Sequence, residues 1–247
     1  MENALLIGLS RQMTLQRKMD VLANNMANVN TAGFKRDNLL FEEHLMPVAR
    51  MSDATGSDAR LSFVLDPSLY RSFEQGGFKQ TGNELDLAIS GDAWFVVQTP
   101  EGERYTRNGA LRLDADGQLT SPSGFPVLGD GGPITFGPQE TGIQIAKDGT
   151  ISTSEGIRGR VRLVSFENKN EMTKEGAMLF ATNEAPQEAT DAKVLQGVIE
   201  KSNVQPVTEL TRMIETVRAY TAVSQAIQQT DRLRQDAIER LSGSNRS

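Results

Sequence analysis

No cysteine occurs in this chain of 247 residues. Disulfides, thiolate nucleophiles, zinc–thiolate sites and iron–sulfur ligation are therefore excluded. The single histidine, His44, in FEEHLMP, rules out a metal site built on two imidazoles from one copy. Aromatic residues make up only 6% and apolar residues 38%, a modest core supply for this length. No apolar run approaches the ~18 residues of a membrane span. The start, MENALLIGLSR, lacks the basic segment and long apolar stretch of a secretory signal. The expectation is a soluble chain without a cleaved signal, exported only by a specialised route. An excess of positive charge is missing too. The net charge is −6, which argues against a phosphate-binding surface. The short basic clusters, Lys35-Arg36 and Arg158/Arg160/Arg162, read as ordinary solvated charge.

Reactive motifs are equally scarce. There is no G-x-S-x-G elbow, no Walker loop and no G-x-G-x-x-G. Asp114-Ala-Asp116-Gly117 invites comparison with a calcium loop, but such a loop needs glycine at its sixth position and glutamate at its twelfth. Here glycine is fourth and Phe125 is twelfth, so the stretch reads as a hairpin turn. Asp92, beside Trp94-Phe95, is the one carboxylate in an aromatic setting, and it reads as strand-edge solvation. The sequence therefore gives no positive support for an enzyme and implies no cofactor and no metal.

What is present is periodicity at both ends. Leu15, Met19, Leu22, Met26 and Val29 recur at steps of 4, 3, 4 and 3, and Gln12, Gly8 and Leu5 continue the register backwards. This predicts a helix over about 3–29 with a heptad seam, weakened by one polar and one glycine position. A second pattern begins at Gln205-Pro206: Val207, Leu210, Met213, Ile214, Val217, Tyr220, Val223 and Ile227. Proline suits a first helical turn. The spacing stays at 3 or 4 except for the adjacent pair 213 and 214. That helix is predicted to reach Leu241, ~54 Å at 1.5 Å per residue. Two such helices read as an antiparallel coiled coil of the termini, completed by helices of other subunits.

Between them lie two contrasting regions. Residues 36–80, containing RMSDATGSDARLS, read as an extended linker with a few strand pieces. Residues 81–194 read as an all-β domain, a small antiparallel barrel or sandwich, with 1–35 and 195–247 forming a discontinuous helical domain. Strands are predicted at LDLAI (85–89), AWFVVQT (93–99), ALRLD (110–114), IQIA (143–146) and RVRLVSF (160–166). Glu101-Gly102, Asn108-Gly109, Asp116-Gly117 and Asp148-Gly149 supply hairpin turns. LRLDADGQLTSPSG at 111–124 is echoed by IQIAKDGTISTSEG at 143–156. The fold class expected is α+β, helices inside and β-domain outside.

The first helix ends in amides. In LANNMANVNTAGFKR, Asn24, Asn25, Asn28 and Asn30 crowd the last turns. Asn30 to Gly33 reads as a helix stop, since Asn or Gly tolerates the left-handed cap. Asn24, Asn25 and Asn28 fall off the seam. They are expected to face outward and bond to neighbouring subunits.

Three blocks together resemble the flagellar basal-body rod and hook family of axial proteins. They are LANNMANVNTAGFKR, then TGNELDLAISGDAWFVVQTPEGERYTRNGALRLDADGQLTSPSGFPVLG, then SNVQPVTELTRMIETVRAY. Ala93-Trp94 and Glu84 depart mildly from the family pattern. The length and single β-domain resemble a rod member, of proximal type by its start, with the distal type as the alternative. A binding module built on the β-domain is the alternative from a different class. The resemblance implies a structural subunit of the periplasmic rod, exported unfolded by the flagellar type III apparatus. Its partners would be further copies and other rod proteins, not nucleic acid, membrane or a small molecule. It implies subunit contacts at Leu15, Met19, Leu22, Asn24, Asn25, Met26, Asn28, Asn30, Gly33 and Phe34. On the C-terminal side it implies contacts at Asn203, Val204, Pro206, Leu210, Met213, Ile214, Val217 and Tyr220.

Overall fold

The computed structural model describes residues 2–40, 43–47, 60–64, 68–176 and 178–243. Most of RMSDATGSDARLS and the last four residues of the tail lie outside that set. Helix α1 spans Glu2–Ala27 and helix α2 spans Pro206–Gly243, with a β-rich region between them. The chain is thus α+β, and the two terminal helices lie close to their predicted bounds. The chain divides into two compact units. One comprises Met1–Ala27, Asp37–Tyr70 and Gln205–Ser247, and the other Asn28–Arg36 and Arg71–Val204.

In the first unit α1 runs antiparallel to α2. Gly8 faces Ile227, where an added Cβ would come within 3.1 Å of the isoleucine side chain. Gln12 donates from Nε2 to Tyr220 Oη at 2.9 Å. The two positions that looked like flaws in the seam are therefore used: glycine makes room for a branched side chain, and the amide bonds a phenol. The same unit contains strand pieces of the presumed linker. Asp37–Leu40 pairs with Ser68–Arg71, and inside that pair Glu43–Pro47 lies antiparallel to Arg60–Val64. A few strand pieces are what the sequence leads one to expect within 36–80.

The second unit is built on a six-stranded antiparallel sheet. Its order is Thr173–Lys174, Phe180–Ala181, Gly102–Thr106, Trp94–Thr99, Leu163–Ser165, Gln187–Glu188. Both faces of the Trp94–Thr99 strand are buried from Trp94 to Val97, which explains an unbroken apolar run there instead of alternation. Phe95 and Val97 join a core with Leu87, Ile89, Leu119, Val127 and Ile151. Trp94 and Val96 join a second core with Tyr105, Val164, Phe166 and Phe180. Smaller hairpins complete the unit, and no closed barrel forms among the described residues. The echo 32 residues apart in the sequence is real in the backbone. Arg112–Leu113 pairs with Leu119–Thr120, and Gln144–Ile145 pairs with Thr150–Thr153, each around an Asp-Gly turn. Asp114 Oδ1 accepts the backbone N–H groups of Asp116 and Gln118, so that carboxylate closes a turn.

Asn108-Gly109 differs from the other turn pairs. Gly109 does not take a positive φ. It is needed because the backbone of Leu87 lies against it, and an added Cβ would sit 1.7 Å from Leu87 O. Gly109→Ala is expected to lower stability by about 3 kcal/mol. Gly77→Ala, which meets open space, is expected to stay within about 0.5 kcal/mol. Urea denaturation of both variants checks the contrast.

Candidate functional site

Two places draw together the residues singled out from the sequence, one in each unit. In the first unit the helix pair has three distinct flanks. The seam between the helices holds Gly8, Gln12, Leu15, Met19, Leu22 and Met26 of α1 against α2. Leu22 is buried, while Leu15, Met19 and Met26 are partly covered. On α2 the seam runs through Glu209, Met213, Thr216, Tyr220, Val223 and Ile227 at steps of 4 and 3, all at least half-buried. Val207, Leu210, Ile214 and Val217 form a separate row at steps of 3, 4 and 3. They are exposed at 77%, 51%, 46% and 46%. The single C-terminal stripe expected from the sequence is therefore two stripes. The adjacent pair at 213 and 214 marks where they meet.

On α1 the exposed large apolar residues among those described are Leu6, Leu9 and Met13. Leu9 and Met13 each lie one position after a seam residue, as do Leu210, Ile214 and Val217 on α2. One residue is a rotation of about 100°. In an antiparallel pair the same rotational offset on both helices points to the same side. One side of the pair is thus bare, and it is apolar in two stretches separated by exposed Gln16, Asp20, Thr221 and Gln228. The residues one position before the seam, Lys18, Val21 and Asn25 on α1 and Arg212 and Glu215 on α2, lie on the opposite side. There Lys18, Val21, Arg212 and Glu215 line a groove with Asp37, Asn38 and Leu39.

Asn25 belongs to that covered side, and the expectation that it faces outward fails. It is 1% exposed. Its Nδ2 donates to Asp37 O at 2.8 Å and to Glu209 Oε2 at 3.3 Å, and its Oδ1 accepts the Asp37 N–H at 3.1 Å. The amide mimics a backbone partner for one strand and reaches α2 as well. Periodicity compared two helices only, and a third element occupies the flank that looked free. Asn24 and Asn30 are exposed and Asn28 half-buried. Asn28 O accepts the Thr31 N–H, and α1 has already ended at Ala27. Gly33, at φ +68°, is the residue that takes the left-handed conformation, and Asn30 is not.

In the second unit Gly33, Phe34, Asn203 and Val204 converge around a buried charge cluster. Lys35 Nζ lies 2.7 Å from Glu200 Oε1, and Arg107 Nη1 lies 3.4 Å from Glu200 Oε2, with every one of these side chains almost fully enclosed. Glu200 Oε1 also accepts the Gly76 N–H at 2.9 Å. Lys35 Nζ donates to Glu74 O, and Arg107 Nη2 donates to Gly91 O. The Arg107 guanidinium stands 5.4 Å from the centre of the Trp94 ring. Burial holds the Lys35 ammonium below its ordinary range, against the pull of Glu200. Burial likewise lowers Arg107, with Glu200 and Asp92 opposing. Asp92 itself is half-exposed at the edge of the cluster, 3.7 Å from Arg107 and paired with Lys169. The sequence leads one to expect strand-edge solvation there, and the structure adds the ion pairs to that half-exposed carboxylate.

Lys35 was read from the sequence as half of a solvated basic pair, and Glu200 and Arg107 were not singled out. The backbone explains the convergence. The Gly33 N–H donates to Glu200 O, the Asn203 N–H to Phe34 O, and the Arg36 N–H to Asn203 Oδ1. Asn203 Nδ2 donates to Ser72 O and Glu74 O. A side chain on Gly33 would collide with the Arg107 backbone at 2.4 Å. Phe34 packs on Met178 and Val204 with Lys174 over its ring. The three quoted sequence blocks meet here: GFK from the first, TRNG from the second, SNV from the third.

Comparison with known proteins matches three segments of the chain that contain these stretches. The family described as Flagella basal body rod protein matches residues 5–35. The Flagellar hook protein FlgE/F/G D1 domain matches residues 88–153, and the Flagellar basal body rod FlgEFG protein C-terminal family matches residues 195–240. The flagellar basal-body rod protein FlgF of Caulobacter vibrioides is 43% identical over 244 residues, 98% of each chain. The FlgF of Mesorhizobium japonicum is 34% identical over 245 residues, again 98% of each. The FlgG of Buchnera aphidicola subsp. Acyrthosiphon pisum is 34% identical over 246 residues, 89% of this chain and 92% of that one.

Charge arithmetic separates the members of the cluster. Glu200→Gln leaves two buried cations without their anion and is expected to cost about 3–5 kcal/mol. Lys35→Met leaves the Arg107–Glu200 pair balanced and is expected to cost about 1–2 kcal/mol. Equal losses in denaturant titrations would contradict this assignment. Asn25→Leu strands the Asp37 backbone and Glu209, and a loss of about 3 kcal/mol is expected; a thermal melt unchanged from wild type would speak against it.

Proposed function

The chain belongs to the flagellar basal-body rod protein family, and on that premise we propose that the bare side of its helix pair is the surface by which it builds into the rod. It is a structural protein of the flagellar basal body, not an enzyme, and rod proteins of this family assemble with other rod components. The observation that carries the reading is the one-sided helix pair. Leu6, Leu9 and Met13 with Val207, Leu210, Ile214 and Val217 leave apolar area in water on one side, opposite the flank that Asp37–Leu40 covers. Each such side chain gains about 1.5–3 kcal/mol on full burial, so a row of them favours a packed helical neighbour.

Several finer features complete the proposal. The subunit is of the proximal type, supported by its 43% identity along the whole chain to a FlgF. The neighbours that cover the apolar side are further copies and adjoining rod proteins, and α1 and α2 face the channel of a tube with the β-rich unit outside. The chain reaches the periplasm unfolded through the flagellar export apparatus and carries torque once assembled. The contact set read from the sequence is revised accordingly. Leu15, Met19, Leu22, Met26, Met213 and Tyr220 serve the internal seam. Leu210, Ile214 and Val217, joined by exposed Asn24, Asn30 and Pro206, serve the neighbours.

The double variant Leu210→Asp/Ile214→Asp tests the surface directly. Its purified monomer is expected to melt within about 0.5 kcal/mol of wild type, because both side chains are already exposed. Basal bodies isolated from cells carrying it are expected to lack the subunit, and the cells to be non-motile. Normal incorporation would sink the assignment. Deleting residues 2–27, which spares Lys35, is expected to give the same loss of incorporation while the Trp94 environment stays native.

A further inference from the structure

We propose that the Lys35–Glu200–Arg107 cluster is a completion latch: segment 28–36 locks into the β-rich unit only when segment 200–204, from the far end of the chain, is in place. The bonding pattern carries this. Within 28–36 the local backbone bonds are the turns from Thr31 N–H to Asn28 O and from Phe34 N–H to Thr31 O. The hydrogen bonds described above that leave the segment reach 72–76 or 200–203: Gly33 to Glu200, Lys35 to Glu74 and Glu200, Arg36 to Asn203, and the Ser72 N–H to Arg36 O, while Phe34 adds apolar contact with Met178 and Val204. The receiving segments have supports of their own. Val198–Glu200 pairs with Phe78–Gln80, and the Lys201 N–H donates to Gly77 O. Phe73 packs edge-on to Trp94 and Phe180, and Gln75 Nε2 donates to Ile89 O. Segment 28–36 is therefore a strap laid last onto a frame that other contacts hold.

Electrostatics makes the closure conditional. Without Lys35 the frame keeps one buried cation, Arg107, matched to one buried anion, Glu200. Without segment 200–204, Arg107 and the incoming Lys35 are two cations whose remaining nearby anion is half-exposed Asp92, 3.7 Å from Arg107, and enclosing both against that one peripheral carboxylate is penalised. The strap has a stable seat only after Glu200 arrives, 165 residues later in the chain than Lys35. The consequence for assembly rests on the reading above of a subunit delivered as an unfolded chain: α1, which the strap carries, is not anchored until the chain is essentially complete. The latch itself is a property of the single molecule and is measured there.

Amide hydrogen exchange on the full-length monomer tests it. Asn203→Ala removes the acceptor of the Arg36 N–H and two anchors to segment 72–76, but leaves the bond from Gly33 to Glu200 O. Exchange at Gly33 is nevertheless expected to quicken at least tenfold, together with Arg36, while amides of Phe95 to Val97 keep their wild-type rates. Glu200→Gln, which retains both Glu200 O and Asn203 Oδ1, is expected to act in the same way at Gly33 and Arg36. Lys35→Met is expected to loosen the strap alone and leave the Gly76 amide protected. Unchanged exchange at Gly33 in Asn203→Ala overturns the latch, as does quickening only in step with Phe95 to Val97, which would mark global unfolding. A subunit that shows the latch yet fails to enter basal bodies would fault the assembly reading alone.

Discussion

One carboxylate answers for two cations at the centre of the β-rich unit. Glu200 holds Lys35 on one oxygen and Arg107 on the other, and its first oxygen also accepts a backbone N–H. None of the three ionic groups is tolerable there by itself, because stripping water from a lone charge costs several kcal/mol. Arg107 Nε remains buried without a hydrogen-bond partner among the described residues, so the arginine depends all the more on its other nitrogens. The cluster therefore acts as a constraint on topology. Residues 35, 76, 107 and 200 must meet, or the burial of each is penalised. Apolar packing accepts many arrangements of similar volume, whereas this set of charges and directed bonds accepts few.

The helix pair works by the opposite logic. Its polar seam positions are few and mutually satisfied, as with Gln12 and Tyr220. Asn25 fixes the covered flank by pairing with both backbone groups of Asp37. The remaining flank carries exposed leucine, isoleucine, valine and methionine toward both ends, with Gln16, Asp20, Thr221 and Gln228 between them. Such a surface sets strength of association without dictating one partner. That suits a member of a family whose rod proteins assemble with other rod components.

The parts legible in the sequence were those with a strong period or a strong local signal. The seam residues Leu15, Met19 and Leu22 repeat often enough to be read, and AWFVVQT is too apolar to be anything but a buried strand. The hairpin echo could be read because Asp116-Gly117 and Asp148-Gly149 take the same turn. The rest depended on partners remote in the chain. Asn25 looks solvent-facing on a wheel drawn for two helices, and only the return of Asp37–Leu40 closes over it. Lys35-Arg36 looks like surface charge because nothing within thirty residues hints at Glu200. The one overlooked local clue was the adjacency of Met213 and Ile214. A single stripe has no use for two neighbouring apolar residues about 100° apart, and their presence marks a helix with two faces to serve.

That second face owes its usefulness to the direction in which the helices run. On each helix the bare row is displaced from the seam by one residue in the same chain sense. Had α1 and α2 run parallel, equal rotations would have turned their bare rows to opposite sides, giving two narrow stripes. Running antiparallel, the same rotations bring both rows to one side. The rows are also staggered along the pair, because Leu6 to Met13 lie near the α2 residues around Ile227 and Val207 to Val217 lie near the end of α1. One side is thereby greasy toward both ends and the other is sealed by the chain itself. A pair built this way cannot close on itself by burying its own surface. Burying that area takes apolar surface from outside the pair, and the directed bonds of Asn25 to Asp37 keep the chain's own strand on the other flank.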